Sequence, residues 1–114
     1  MRPGDFIAAV REEFPELDSV IKEDEGLFYL QVGSLVSYTQ GAIDDGDSRE
    51  VQRQFEFMRR AWLAGDNEVQ NALGVAYLEH LNFQDGKQSR SWAWGLLPEP
   101  LKSNARSLGV APAE

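Results

Sequence analysis

One amphipathic helix in the middle of the chain constrains the fold most. Large apolar residues recur there at steps of four, three and four, at Val51, Phe55, Met58 and Trp62. That spacing puts them on one stripe of a helix over residues 49–64. Polar and charged residues cover the opposite side: Gln52, Arg53, Glu56, Arg59 and Arg60. Such a stripe needs other apolar elements to cover it, so the pattern predicts a helix packed into a helical core.

Two further helices are predicted before this one. Pro3 suits the first turn of a short helix, and Pro15 ends it because a residue that precedes proline avoids the α region. The segment over 26–43 is apolar on more than one face, which predicts a largely buried helix. Its aromatic and β-branched residues also favour a strand over 27–36. No hairpin partner for a strand lies nearby, so we expect the helix.

A fourth helix is predicted after the amphipathic one. Gly65 ends the first of the two helices, and Asp66 caps the next, which is expected over residues 68–81. This helix is apolar on two sides and should therefore be central. Gly74 in its middle costs about 1 kcal/mol against alanine. A glycine kept there indicates that another helix crosses closely.

The C-terminal part is expected to be less regular. A polar loop is predicted over residues 82–91, a last short helix over 98–108 and a frayed tail over 109–114. A chain of 114 residues is near the commonest size of one domain. The predicted fold class is therefore all-α, a compact bundle of four to five helices in a single domain over residues 1–114.

The net charge is confined to the first half of the chain. Residues 1–50 carry twelve Asp and Glu against four Lys and Arg, whereas residues 51–114 carry seven of each. Excess carboxylates repel phosphate, which argues against nucleic acid and anionic membranes as partners and favours a basic protein. The chain has no cysteine, no signal-peptide pattern and no apolar stretch that would span a bilayer, so we expect a cytoplasmic protein.

Four carboxylates cluster in the turn before the amphipathic helix, at Asp44, Asp45, Asp47 and Glu50. They lack the alternating spacing and the length of a Ca²⁺ loop, so no metal site is predicted. Either they form a solvated turn with a helix cap, or they face a basic partner. A second acidic run over residues 12–25 is open to the same two interpretations.

Two tryptophans and two polar helix residues are further candidates for a site. Trp92 and Trp94 follow the polar loop on irregular backbone, and each is either a core residue or an anchor of a contact surface. Asn71 and Glu79 lie on one side of the helix over 68–81. On a buried helix, such polar side chains need hydrogen-bond partners, or they form the floor of a pocket.

Residues 50–82 resemble a pattern of small bacterial helical proteins. In these proteins an aromatic-rich helix, a Gly-Asp break and a helix ending in aromatic-Leu-Glu-x-Leu follow one another. The matching residues are Phe55, Glu56, Phe57, Asp66, Val69, Asn71, Val75, Tyr77, Leu78, Glu79, His80 and Leu81. Some of these proteins resemble immunity proteins encoded beside secreted toxins. The resemblance implies an all-α fold and a toxin-neutralising role, and it transfers no catalytic residue.

The function expected from the sequence is that of a non-enzymatic acidic binding protein. Its partner would be a basic protein, and the resemblance favours a cognate toxin. His80 is the only histidine, and no nucleophile, phosphate or metal motif accompanies it, so we expect no enzyme and no cofactor. The alternative is a small-ligand-binding or regulatory domain with a pocket between the helices over 26–43 and 68–81, with Asn71 or Glu79 at its base.

Overall fold

Short turns divide the chain into helices, and no strand occurs in residues 1–83 and 90–112, which the computed structural model describes. In these ranges the α helices are α1 Pro3–Glu13, α2 Asp18–Glu23, α3 Phe28–Asp44, α4 Ser48–Ala64, α5 Asn67–Ala72, α6 Ser91–Leu96 and α7 Leu101–Ser107. A 3₁₀ turn, Pro15–Leu17, precedes α2, and α5 continues through a π turn, Leu73–Tyr77, into a 3₁₀ turn, Leu78–His80. The all-α prediction is confirmed, and the alternative of a strand over 27–36 is wrong.

The described residues contain more helices than the four to five that the pattern predicted. Phe14 leaves the helical region at φ −127° and ψ 67°, which separates α2 from α1. Trp92 and Trp94, expected on irregular backbone, lie on α6. Within the predicted loop and tail, residues 84–89 and 113–114 lie outside the described residues. The radius of gyration is 13.4 Å, close to the roughly 13 Å of a compact domain of 100 residues.

The helix α4 buries its predicted stripe against α3, α5 and α6. It begins after Asp47, whose side chain caps the helix, and within the stripe only Trp62 is half-buried rather than buried. Phe57 on the flank of the stripe is buried too, with its ring 5.2 Å from that of Phe14 and 6.1 Å from that of Phe6. Such aromatic pairs contribute about 0.5–1.5 kcal/mol beyond their buried area. They hold α1 against α4.

A buried hydrogen-bonded group joins three helical segments. Thr39 on α3 donates to Oε1 of Gln54 on α4 at 2.6 Å. The Thr39 oxygen also lies 2.8 Å from the hydroxyl of Tyr77, and it accepts that proton because its own is already donated. All three side chains are at most 1% exposed. These residues, the buried triad, tie α3 and α4 to the end of the π turn.

Gly74 in the π turn lies where α7 approaches closely. A Cβ on Gly74 would lie 3.0 Å from Oδ1 of Asn104 on α7. That oxygen is buried and has no hydrogen-bond partner in the part of the chain that the structure describes. The close crossing predicted at this glycine is therefore confirmed.

Replacing Thr39 by valine is expected to destabilise the fold. Valine keeps the shape but leaves Tyr77 and Gln54 without their shared partner, and an unsatisfied buried polar group costs about 1–3 kcal/mol. Tyr77→Phe is the matched control, since it leaves the bond from Thr39 to Gln54 in place and should cost less. Urea denaturation of both variants measures the two free energies of unfolding. Equal losses, or no loss for Thr39→Val, would contradict the triad's role.

A second polar contact joins α3 to the turn after α1. The hydroxyl of Tyr38 donates to Oε2 of Glu16 at 2.8 Å. A backbone hydrogen bond at Glu16, followed by the bond from Tyr38, lowers the pKa of that carboxyl. Burial, followed by the Glu16 carboxylate, raises the pKa of Tyr38 to about 12. Burial likewise raises the pKa of Tyr77.

These shifts predict a loss of stability in alkali. Because the pKa of Tyr38 and of Tyr77 is raised in the folded state, their contribution is complete below about pH 10 and is lost as the pH rises, with the loss for Tyr38 extending to about pH 12. Urea midpoints between about pH 9 and about pH 11 should therefore fall. The fall should be smaller in Tyr38→Phe, whose ring cannot ionise. If the urea midpoint of Tyr38→Phe falls with pH as steeply as that of the unchanged protein, Tyr38 is ruled out as a source of the loss of stability.

Candidate functional site

An open groove of about 390 Å³ lies between α3 and the segment formed by the π turn and the 3₁₀ turn that follows it. The residues that line it are Tyr29, Leu30, Gly33, Val36, Ser37, Val75, Ala76 and His80. No Asp, Glu, Lys or Arg is among them. The lining is therefore mainly apolar, and we call this depression the groove.

Two sets of hydrogen bonds, which we call the clasps, join α3 to the segment that follows α4. In the first clasp, Nδ2 of Asn71 donates to the hydroxyl of Tyr29 at 2.7 Å. In the second, which lies beyond the residues that line the groove, the side-chain amide of Gln40 bonds to both the N–H and the C=O of Asn82, at 2.9 and 3.2 Å. The residue numbers rise together along both walls, so the walls run parallel. On α3 the two clasps are eleven residues apart, about 16 Å at the rise of a helix.

Large apolar side chains are exposed along this groove. Leu30 is 57% exposed, and Tyr29 and Val75 on the two walls are exposed as well. Leu27, 55% exposed, stands directly before α3. Among the described residues seven large apolar side chains are exposed, and four of these lie in or directly before the groove. A cluster of this kind marks an interaction surface more strongly than scattered apolar residues do.

Carboxylates precede this apolar surface along the chain. Glu23, Asp24 and Glu25 follow one another at the end of α2, and Gly26, at φ 84°, turns the chain toward Leu27. No side-chain hydrogen bond or ion pair joins these three carboxylates to the described residues. We call residues 23–25 the acidic turn. It belongs to the second of the two acidic runs found in the sequence.

Most carboxylates of the first acidic run described above, residues 44–50, form contacts within the fold. Asp44 pairs with Arg90 at 2.7 Å, Asp47 caps α4, and Glu50 pairs with Arg53 at 2.9 Å. In the described part of the chain only Asp45 of this run makes no side-chain contact of that kind. The interpretation as a turn with a helix cap thus accounts for most of the run.

The two tryptophans cover an edge of the core. Both are half-buried on α6. The ring of Trp94 lies 5.4 Å from that of Phe83, and the cations of Lys102 and Arg106 approach it to 5.4 and 5.8 Å. These contacts favour the core interpretation for Trp94, because its ring is occupied by neighbours within the chain.

Asn71 and Glu79 are not the buried polar pair that the helical pattern predicted. Both side chains are exposed. The π turn between them changes the helical period, so residues eight apart no longer share a face. Asn71 forms a clasp of the groove, whereas Glu79 lines a separate depression beside Leu108. A pocket between the two predicted helices does exist, but neither residue forms its floor.

Comparison with known families places the chain. The model of a family described as a domain of unknown function, DUF7674, matches residues 7–108. The chain belongs to this family. The DUF7674 match includes the buried triad, both walls of the groove and the acidic turn. No match was found among curated proteins or among solved structures.

Other kinds of site find little support in this DUF7674 chain. In residues 1–83 and 90–112 no three His, Cys, Asp or Glu residues come together as metal ligands would. His80, the only histidine, is exposed on the wall of the groove. None of the described helices is both long and apolar enough to cross a membrane.

Replacing Gly33 by alanine should stabilise this DUF7674 domain. A Cβ there would meet nothing within 4 Å, and glycine inside a helix costs about 0.5–1 kcal/mol relative to alanine. Gly65→Ala is the contrasting variant, because its Cβ would lie 2.7 Å from Ala61 O and from Val69 Cγ1. Thermal and urea unfolding should move in opposite directions. A destabilised Gly33→Ala variant would show that the groove is not open at that point.

Proposed function

We propose that this protein is a non-enzymatic binding protein that holds a basic protein partner on the groove and the acidic turn. The observation that carries the proposal is the succession of three unpaired carboxylates and four exposed apolar side chains on neighbouring segments. Burial of the apolar side chains would supply affinity, at about 1.5–3 kcal/mol for a leucine. The carboxylates would attract a basic partner and raise the association rate.

The partner class that we propose is a bacterial toxin that this chain neutralises by covering it. The resemblance of residues 50–82 to small bacterial helical proteins, some of which resemble toxin-immunity proteins, supports this choice, as does the net charge of −8. Some carboxylates of the fold form ion pairs, whereas others do not. Arg11 and Lys22 pair with Asp18, and Arg53 pairs with Glu13 and Glu50. None of these ion pairs involves the acidic turn.

Charge removal in the acidic turn tests the electrostatic part. The partner is first captured from a lysate of the source organism and purified, and its association rate is then measured at low and high salt. Replacing Glu23, Asp24 and Glu25 by glutamine or asparagine should lower the rate at low salt by about tenfold or more, and should flatten its salt dependence.

A matched control removes the same net charge elsewhere. Glu12, Glu56 and Glu99 are exposed carboxylates on α1, on α4 and before α7. Their conversion to glutamine should lower the association rate much less than the changes in the acidic turn. Equal effects of the two sets of substitutions would show that the acidic turn acts only through the net charge of the protein.

An aspartate in the groove tests the apolar part. Leu30→Asp should abolish capture of the partner, because it puts a charge into the apolar surface that must lose water on binding. Leu63→Asp is the matched control, since Leu63 on α4 is 60% exposed and lies outside the groove. Capture that survives Leu30→Asp, or that is lost equally in Leu63→Asp, would exclude the groove as the docking surface.

A second candidate function is the binding of a small ligand. A depression of about 310 Å³ between α1, α2 and α3 supports it, with Ile7, Ile21 and Phe28 on its walls. Gln31 lines it as well, and its Nε2 donates to Ile21 O at 3.1 Å. A thermal-shift screen of small amphipathic compounds tests this candidate. Ile7→Trp should fill the depression and remove any shift that it produces.

A further inference from the structure

We infer that the groove receives an α helix of the partner, apolar on one face and basic elsewhere, over about two turns. The inference rests on the proposed function and specifies which structure of the partner is recognised. Three observations lead to it: the hydrogen bonding of the walls, the dimensions of the groove and the negative charge of the chain.

The walls offer no backbone groups to an incoming chain. Both are helical segments whose N–H and C=O groups are engaged in helical hydrogen bonds, and the described residues contain no strand edge. An extended peptide in the groove would therefore bury its own backbone groups without partners. A helix satisfies those groups internally and presents only side chains. The groove thus favours a helix over a strand.

The dimensions fit a helix that lies along the groove. On α3 the lining runs from Tyr29 to Ser37, about 12 Å at the rise of a helix, which corresponds to about two turns. The floor is low where α3 carries Gly33 and, four residues later, Ser37. A Cβ at Gly33 would meet nothing within 4 Å, so an incoming side chain has room there. Leu30 and Val75 stand exposed on opposite walls and would contact the apolar face of that helix.

The charges determine the polar face of the occupant. The lining contains no Asp, Glu, Lys or Arg, so the face that enters is apolar. The acidic turn precedes α3, and Asp45, with no side-chain partner in the described residues, follows it. Lysine or arginine on the outer face of the bound helix would be attracted by these unpaired carboxylates and by the net charge of −8. A second copy of this chain is disfavoured as occupant, because each copy carries a net charge of −8.

Two fluorescent peptides of identical composition test the inference. One places leucine at i, i+3, i+4 and i+7 with lysine and alanine between, and the other permutes the same residues so that leucine alternates with lysine or alanine, as in a strand. Fluorescence anisotropy should give at least about tenfold tighter binding of the helix-patterned peptide, weakened by salt. Equal affinity of the two peptides, or no binding of the helix-patterned one, would overturn the inference.

A variant that fills the groove shows where the peptide binds. Gly33→Leu should reduce the affinity for the helix-patterned peptide at least about tenfold, because its side chain occupies the floor. Gly41→Leu is the control: Gly41 also lies on α3, its Cβ would meet nothing within 4 Å, and it does not line the groove. Circular dichroism should show both variants folded. Equal affinities of the two variants would place the peptide elsewhere and overturn the inference.

The captured partner separates this inference from the proposed function. Since the chain has no cysteine, Ser37→Cys provides one position for a photo-crosslinker. Cross-linked partner residues spaced three or four apart would support a helix. Residues spaced two apart would overturn the helix but leave docking in the groove intact. A partner that is captured but never cross-linked would contradict the proposed docking surface itself, and cross-linking to a second copy of this chain would contradict the basic partner.

Discussion

Thr39 places its hydroxyl where α3, α4 and the π turn meet, and the arrangement of these segments depends on that group. It donates to Gln54 and accepts from Tyr77, so three polar side chains are satisfied without water in an apolar surrounding. An unpaired polar group at this depth would cost more than the net contribution of the bond itself. Any position of the π turn that breaks these hydrogen bonds therefore costs free energy. Since Val75 and Ala76 stand just before Tyr77, the same bond holds the second wall of the groove.

The rest of the fold leaves the apolar groove uncovered and the acidic turn unpaired. On the side of α1 and α4, Arg11 and Arg53 each meet carboxylates, and the aromatic rings of Phe14 and Phe57 pack edge to face. Along α3, in contrast, Leu30 is 57% exposed, and the carboxylates of the acidic turn form no ion pair in the described residues. The exposed apolar residues thus follow the acidic turn directly along the chain. This combination supports a basic, amphipathic partner.

Part of this arrangement can be read from local pattern. The stripe of α4 and its cap at Asp47 correspond to what the spacing predicts, because both depend on residues within one or two turns. Gln54 beside Phe55 in that stripe, and Thr39 midway between Leu35 and Ile43, are polar residues at apolar positions of the helical pattern, and this is the local signal of the buried triad. No such signal in the sequence indicates that Asn71 and Glu79 lie on different faces. It follows from the π turn, which the crossing with α7 accompanies.

By itself, the sequence determined that the chain is helical, where its main helices lie and that its first half is acidic, because helical period, capping and charge are properties of neighbouring residues. Only the tertiary structure decided which apolar residues remain exposed and which carboxylates remain unpaired. The segment over 26–43, predicted to be largely buried, leaves a stripe exposed that includes Tyr29, Leu30 and Ser37. Coverage depends on segments far apart in sequence, such as the wall that includes Val75. A local sequence pattern carries no information about contacts between such distant segments, and the groove is formed by two of them.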